Sequence, residues 1–268
     1  MGLPSVDAVA EAAARLTSAT VAHRPVAPVR DLIGDTDLAT AYAVQERLTR
    51  HREATGAVVV GRKIGLTSFA VQRQLGVDQP DFGVLFADMD VSQQAEVPSD
   101  RLLQPKVEAE IAFVLKADLA EGDLDDARVR GAVDYAVAAL EIVDSRIAGW
   151  DIAITDTIAD NASSGLFVLA DKRLTLDEFE PRDATMRLSA HGDVVSEGSG
   201  ADCLGDPVNA LAWLARTARS FGAPLRAGQI VLSGALGPMV PAPPGTRIRA
   251  EIGPLGPVTA TFSTEESS

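Results

Sequence analysis

A chain of 268 residues, 46% of them hydrophobic, has enough apolar content for a sizeable core and reads as one large domain or a large and a small one. Its 38 acidic residues against 24 basic ones give a net charge of -14, and nothing basic is clustered; that balance argues against a nucleic-acid or anionic-membrane partner. One cysteine rules out an internal disulfide framework and fits a reducing compartment, and three scattered histidines give Cys/His catalysis little support.

The N-terminus is alanine-rich but broken by Asp7, Glu11 and Arg15, so it does not read as a leader. No run of 18 apolar residues exists, and a cytoplasmic protein is expected. Ser5 is placed to cap a helix to about His23, ended by the Pro25 to Pro28 stretch. A second helix is expected from about Asp37 to Thr55, with Gly56 as its stop. Together they predict a helical N-terminal lobe over residues 1–60, followed by a catalytic domain over 61–268.

Val58 to Val60 begin a β stretch that runs into Gly61 to Leu66. Within it Lys63 sits among glycines beside apolar residues, where a cation can reach a substrate carboxylate or enolate, or simply be solvated at a strand end. Ser68 is read as the cap of a short helix to Gly76. The following loop, to Phe86, holds Asp78 and Asp81. Pro80 and Gly83 shape the backbone around Asp81, which fits either a pocket mouth or an ordinary turn hydrogen bond.

Leu103 to Leu115 reads as a buried strand that carries Glu108 and Glu110. Side chains alternate along a strand, so the two acids share one face while Val107, Ala109, Ile111 and Phe113 occupy the other. They are either solvent-facing on an edge strand or compensated by a lysine or a metal ion. A helix is predicted from Asp125 or Asp126 to about Ala138. A strand over Ala138 to Ile147 then brings a third anomalous acid, Glu141. Three carboxylates make a hard all-oxygen set, which suits Mg²⁺ or Mn²⁺ better than zinc, since no His or Cys lies nearby.

Trp150 to Gly165 turns polar, and Asn161 to Ser164 offer groups that orient a bound carboxylate or cap a turn. Strands are expected near 166–170, 185–190 and 194–197, a helix from Asp206 to about Phe221, and strands near 229–232, 247–252 and 258–262. Because a regular βαβ alternation is missing, the fold class is α+β. Dinucleotide, Walker A, H-E-x-x-H and G-x-S-x-G motifs are all missing as well.

Six ordered blocks carry a resemblance: Gly61 to Thr67 (GRKIGLT), Leu75 to Phe86 (LGVDQPDFGVLF), Gln104 to Ala112 (QPKVEAEIA), Ala139 to Arg146 (ALEIVDSR), Asp156 to Gly165 (DTIADNASSG) and Leu232 to Val240 (LSGALGPMV). They span nearly the whole chain, which resembles the hydratase/decarboxylase family of the fumarylacetoacetate hydrolase superfamily. The resemblance implies a helical N-terminal lobe on a mixed β-sheet or roll catalytic domain, and a homo-oligomer. It implies a divalent cation held by Glu108, Glu110 and Glu141, catalytic roles for Lys63 and Asp81, and substrate-side positions for Ser163, Ser233 and Gly234. The chain departs from the family pattern at Gly228-Gln229 and Gly245-Thr246, where many members have Gly-Asp; both lie away from the implied ligands.

The activity so implied is metal-dependent hydration of 2-hydroxypenta-2,4-dienoate to 4-hydroxy-2-oxopentanoate in the meta-cleavage degradation of aromatic compounds, with a downstream aldolase or a sister decarboxylase as a candidate associate. The alternatives are decarboxylation of 2-oxohex-3-enedioate, which needs an extra cation such as Arg62, Arg73 or Arg146, and a non-catalytic partner of such a decarboxylase. Hydrolytic carbon-carbon cleavage has less support, because His23, His51 and His191 all lie outside the six blocks.

Overall fold

The computed structural model describes residues 6–69, 72–73 and 77–264. Ser5 and Gly76, the expected start of the first helix and end of the short one, lie outside them. Helices α1 (Val6–Val21), α2 (Arg30–Ile33) and α3 (Leu38–Ala54) open the chain. Asp37 caps α3 by accepting from the Thr40 backbone N–H at 3.1 Å. Ala12, Leu16, Val29, Ile33, Ala41 and Val44 from these helices share a small apolar core with Ile147, Ile154 and Ile158. Gln45 ties α3 to the sheet, its amide donating to the carbonyls of Phe82 and Ile158, both at 2.9 Å.

The main sheet is mixed and seven-stranded. It contains β1 (Val59–Gly65), β2 (Asp81–Phe86), β3 (Lys106–Leu115), β4 (Val133–Val143), β5 (Ser164–Leu169), β8 (Ile230–Leu232) and β9 (Val240–Pro241). Their order is β2-β1-β8-β3-β4-β5, with β9 also on β3; β1 and β8 run parallel and the other neighbours antiparallel. A second, antiparallel sheet of four strands takes the order β11-β10-β6-β7, from β6 (Thr185–Ala190), β7 (Asp193–Ser199), β10 (Arg247–Gly253) and β11 (Gly256–Thr261). β10 alternates buried Ile248, Ala250 and Ile252 with exposed neighbours, the pattern of a strand with one wet face. Helix α6 (Pro207–Ser220) buries Leu211 and Leu214 against the same continuous core. This is the helix-plus-mixed-sheet architecture of the α+β class.

Two elements depart from the sequence reading. Helix α4 (Asp126–Ala132), capped by Asp125, stops six residues short of Ala138, because β4 already begins at Val133. Local propensity favoured continuing the helix, but a ladder of ten pairs from Leu115–Val133 to Lys106–Val143 fixes the segment as strand. The polar stretch after Trp150 holds a helix, α5 (Ile154–Ala159), which sequence periodicity did not reveal. Asp156 starts it by accepting from the Ala153 N–H at 2.9 Å. The edge-strand reading of Glu108 and Glu110 also fails, since β3 is paired on both sides, with β4 and β8.

Candidate active site

Strand register assembles the site. Glu108 pairs directly with Glu141 across the β3–β4 ladder, and Glu110 lies two residues along on the same face. Through β8 the same face reaches β1, where Lys63 pairs with Leu232, itself paired with Ala112 of β3. Gly65 pairs with Asp81, which brings that acid to Lys63's side of the sheet. Five polar side chains from four strands thus converge on one sheet face, and all but Glu108 are almost fully buried.

One oxygen from each of Glu108, Glu110 and Glu141 lies within 4.8 Å of the others, a grouping able to hold a metal ion. Lys63 Nζ stands 3.0 Å from Glu141 Oε1 and donates to the Ala162 carbonyl at 2.9 Å. Glu110 Oε2 accepts the Gly234 N–H at 2.8 Å. Yet Glu110 Oε1, both Glu141 oxygens and Asp81 Oδ1 are buried without a hydrogen-bond partner. Such orphaned carboxylate oxygens are rare, because desolvation is costly unless something replaces the lost water.

One lysine faces four carboxyl groups, so a single positive charge cannot neutralise them. At this spacing each ionised glutamate pair repels by about 3 kcal/mol at an effective dielectric near 20. Without a cation the site resolves that repulsion by keeping protons. Burial first and the Glu141 carboxylate next push Glu108 up to about 7, against the pull of Lys63. The same two causes, with Glu108 added, hold Glu110 well above the usual carboxylate range. Burial also raises Asp81, opposed by Lys63 and by the Thr157 hydroxyl that donates to Asp81 Oδ2 at 3.2 Å. Burial works to discharge Lys63, but the four acids, led by Glu141, outweigh it and keep its ammonium form above the ordinary value. A divalent cation fits this donor set: the oxygens are hard, short of hydrogen-bond donors and in excess of the available positive charge.

Glycines make room for this arrangement. A Cβ at Gly65 would lie 2.2 Å from Asp81 Oδ1 and 3.6 Å from Lys63 Nζ, so any side chain there fills the space between acid and lysine. Gly234, at φ +105°, turns its amide to Glu110, where a Cβ would strike Thr67.

The remaining expected positions lie around this centre. Ser233 is buried beside it, its carbonyl accepting from Cys203 Sγ at 3.1 Å. Cys203 is itself buried, and burial, then Glu110, push its thiol far up, so it is an inert packing residue. Asn161, Ala162 and Ser163 all have positive φ, three strained residues in a row. That turn aims the Ala162 carbonyl at Lys63, while the Ser163 hydroxyl lies 3.5 Å from Asp160 Oδ2. Asp78 is exposed.

Sequence reasoning missed Thr157 and the Ala162 carbonyl, although both sit in the Asp156 to Gly165 block that it singled out. It also missed Lys106, which shares the face of Glu108 and Glu110. Of the three arginines considered for a second carboxyl group, Arg62 projects to the opposite face, over the Phe82 ring. Arg146 is tied to Asp160 and to the Asp144 and Ser164 carbonyls, and Arg73 is exposed.

Comparison with known proteins agrees with this geometry. The chain is 56% identical over 256 residues to the TodF product hydratase of Pseudomonas putida, covering 96% of each chain. It is 51% identical to 2-keto-4-pentenoate hydratase of Burkholderia vietnamiensis, over 96% of this chain and 98% of that one. A solved structure of 4-oxalocrotonate decarboxylase from Pseudomonas putida G7, complexed with magnesium and adipate, superposes with a TM-score of 0.91 at 32% identity, covering 97% of this chain and 99% of that chain. Residues 50–263 match the Fumarylacetoacetate (FAA) hydrolase C-terminal family, and with these relatives over nearly its whole length the chain belongs to the fumarylacetoacetate hydrolase family.

Proposed function

We propose that this protein is a divalent-metal-dependent hydro-lyase that hydrates 2-hydroxypenta-2,4-dienoate to 4-hydroxy-2-oxopentanoate, a step in meta-cleavage degradation of aromatic compounds. The observation that carries the reading is the set of unpartnered, buried carboxylate oxygens beside Lys63 and Asp81, in a chain at least half identical to proteins named as hydratases of this substrate class. Glu108, Glu110 and Glu141 would hold Mg²⁺ or Mn²⁺. When bound, such a cation supplies Lewis-acid polarisation of the substrate's 2-oxygen.

The chain's own groups do the rest. Lys63, kept as an ammonium by Glu141 and steered by the Ala162 carbonyl, offsets charge on the substrate oxygen. Asp81, which burial favours in its protonated form, would give a proton to C5 and regain one as the 2-hydroxyl loses its own, leaving a 2-oxo-3-enoate to which water adds with OH at C4 and H at C3. Thr157 fixes the orientation of Asp81. Burial of Lys63, Asp81, Glu110 and Glu141 keeps these groups out of bulk water. Ser163, Ser233 and Gly234 are taken as substrate-side positions, with Gly234 also orienting Glu110.

Residues 1–60 form a helical lobe ahead of a catalytic domain over 61–268 in this reading, with the second apolar cluster, which α1 to α3 share with Ile147, Ile154 and Ile158, joining the two. The protein is taken as a cytoplasmic homo-oligomer that can associate with a downstream aldolase or a sister decarboxylase; no helix among the described residues is long and apolar enough to cross a membrane. The decarboxylase reading loses two of its three cations to the geometry above.

The test is the ultraviolet band of freshly made 2-hydroxypenta-2,4-dienoate incubated with the protein, with and without EDTA, and then with Mg²⁺ or Mn²⁺ restored. Metal-dependent loss of the band with 4-hydroxy-2-oxopentanoate as product supports the assignment; loss no faster than in buffer refutes it. Lys63→Met should abolish turnover, and unchanged turnover with the metal still bound would remove Lys63 from the mechanism.

A further inference from the structure

Exposure along one face of β3 locates the mouth of the site. Glu110 is fully buried, Glu108 keeps some contact with solvent, and Lys106, next along the same face, is also partly exposed. Lys106 and Glu108 are thus partly open members of this face, next to the buried Glu110.

Lys106 is held in an unusual way. Its Nζ lies 4.2 Å from the centroid of the Trp150 ring, and among the described residues it makes no ion pair and no hydrogen bond. The ring is a prepared platform. Trp150, at φ +58°, donates through Nε1 to the Gln104 carbonyl at 3.1 Å. The Gln104 side chain in turn accepts from the Gly149 N–H at 2.8 Å and donates to the Ser145 and Ile147 carbonyls, both at 2.9 Å. A rigid turn thus props an ammonium that makes no direct ion pair, Glu108 on the same face acting on it only through space. A cation–π contact is worth only about 0.5 to 1 kcal/mol at such partly exposed sites, so capacity for an anion remains.

We propose that Lys106, propped on Trp150, is a substrate-binding and specificity-determining residue that takes the carboxylate of an incoming 2-oxo or 2-hydroxy-enoic acid at the rim of the glutamate site. An anionic substrate approaching a strongly acidic chain needs such a cation at the entrance. The identity of the anion rests on the hydratase reading; the existence of the carboxylate site does not.

Two measurements on the full-length, Mg²⁺-loaded protein separate the two. The first compares KM and kcat for 2-hydroxypenta-2,4-dienoate in the parent, Lys106→Met and Lys106→Arg proteins. The second follows pyruvate binding by tryptophan fluorescence, in a Trp213→Phe background so that Trp150 is the reporter. A charged hydrogen bond of ordinary strength predicts that Lys106→Met raises KM and the pyruvate Kd by about tenfold or more, with kcat within about threefold and Lys106→Arg close to the parent. Unchanged KM and pyruvate affinity would overturn the proposal, as would a fall in kcat at constant KM, which would mean that Lys106 serves the chemistry or the pose of Glu108. Absence of pyruvate binding in the parent overturns it too. A parent that binds pyruvate through Lys106 but leaves the dienoate untouched refutes the hydratase reading alone.

Discussion

Two groups of buried acids lie within this fold, and they are treated in opposite ways. Asp144, Asp156 and Asp160 sit where β4, α5 and the α1–α3 helices meet. Asp156 accepts from the N–H groups of Val29 and Arg30, both at 2.8 Å, from Ala153 at 2.9 Å and from the Arg30 guanidinium at 2.7 Å. Asp144 takes the N–H groups of Leu103 and Gln104, and Asp160 pairs with Arg146 and accepts its backbone N–H. Glu110, Glu141 and Asp81 are as deeply buried but leave four oxygens without a hydrogen bond. Burial alone does not mark a functional acid. Asp160 too is pushed up by burial, to about 6 against Arg146, although its role is structural. What separates the groups is whether the chain supplies the partners, and unmet demand at the glutamates points to a partner from outside.

Substitutions on each side should pull this contrast apart. The largest effect is expected for Glu141→Gln, which removes a proposed ligand and the acid that faces Lys63: metal-dependent turnover should fall on the order of a thousandfold, equivalent to the several kcal/mol a Lewis acid supplies. Calorimetric titration with Mn²⁺ should show the affinity falling with it, and a variant that keeps both would contradict the glutamate site. Asp156→Ala should instead leave Mn²⁺ affinity near the parent value but cost about 3 kcal/mol or more of stability, since three N–H groups and a guanidinium lose their acceptor. Urea unfolding measures this directly.

Glu110→Gln supplies the opposite sign. In metal-free protein it replaces a buried carboxyl group whose Oε1 has no hydrogen-bond partner and which faces two other glutamates, so stability should rise by about 1 kcal/mol, as expected when a strained functional site is relaxed. A fall in melting temperature in EDTA would place Glu110 among the structural acids. The smallest effect to resolve is the pH dependence. Glu108, raised from 4.5 to about 7, and Glu110, also raised, bind more protons in the folded metal-free chain than in the unfolded one. Their contribution to stability is therefore fully present at low pH and lost as pH rises through about 7. A cation must displace those protons, so its affinity rises over the same interval. The difference in melting temperature with and without Mg²⁺ should widen from pH 5 to pH 8. Asp160 shifts both curves alike and drops out of the difference.

Much of this was legible from residues in isolation. Glutamates at alternate positions in an otherwise apolar strand are anomalous wherever that strand lies, so Glu108 and Glu110 were set on one face before any partner was known. Asp37, Asp125 and Asp206 marked where their helices begin, and in the structure each caps its helix by accepting a backbone N–H. Position along the sheet was not legible. Edge and central strands share an alternation, and only pairing of β3 with both β4 and β8 excludes solvent-facing glutamates. Nor did the sequence separate Asp156 and Asp160 from Asp81, since all three sit in similar mixed stretches and differ in which distant N–H groups reach them.

The sequence by itself determined the local grammar: which runs alternate, where helices are capped, that the charge balance disfavours nucleic acid, and which acids sit among apolar neighbours. Those properties depend on residues a few positions apart, within reach of one strand pleat or one helical turn. Only the tertiary structure decided that Val133 to Val137 is strand, that a helix begins at Ile154, that Lys63 faces Glu141 at 3.0 Å across two intervening strands, and that Lys106 stands over Trp150 beside the glutamates. Each of these is fixed by a ladder register or a packing contact between residues far apart in sequence, and no local propensity encodes such a pairing.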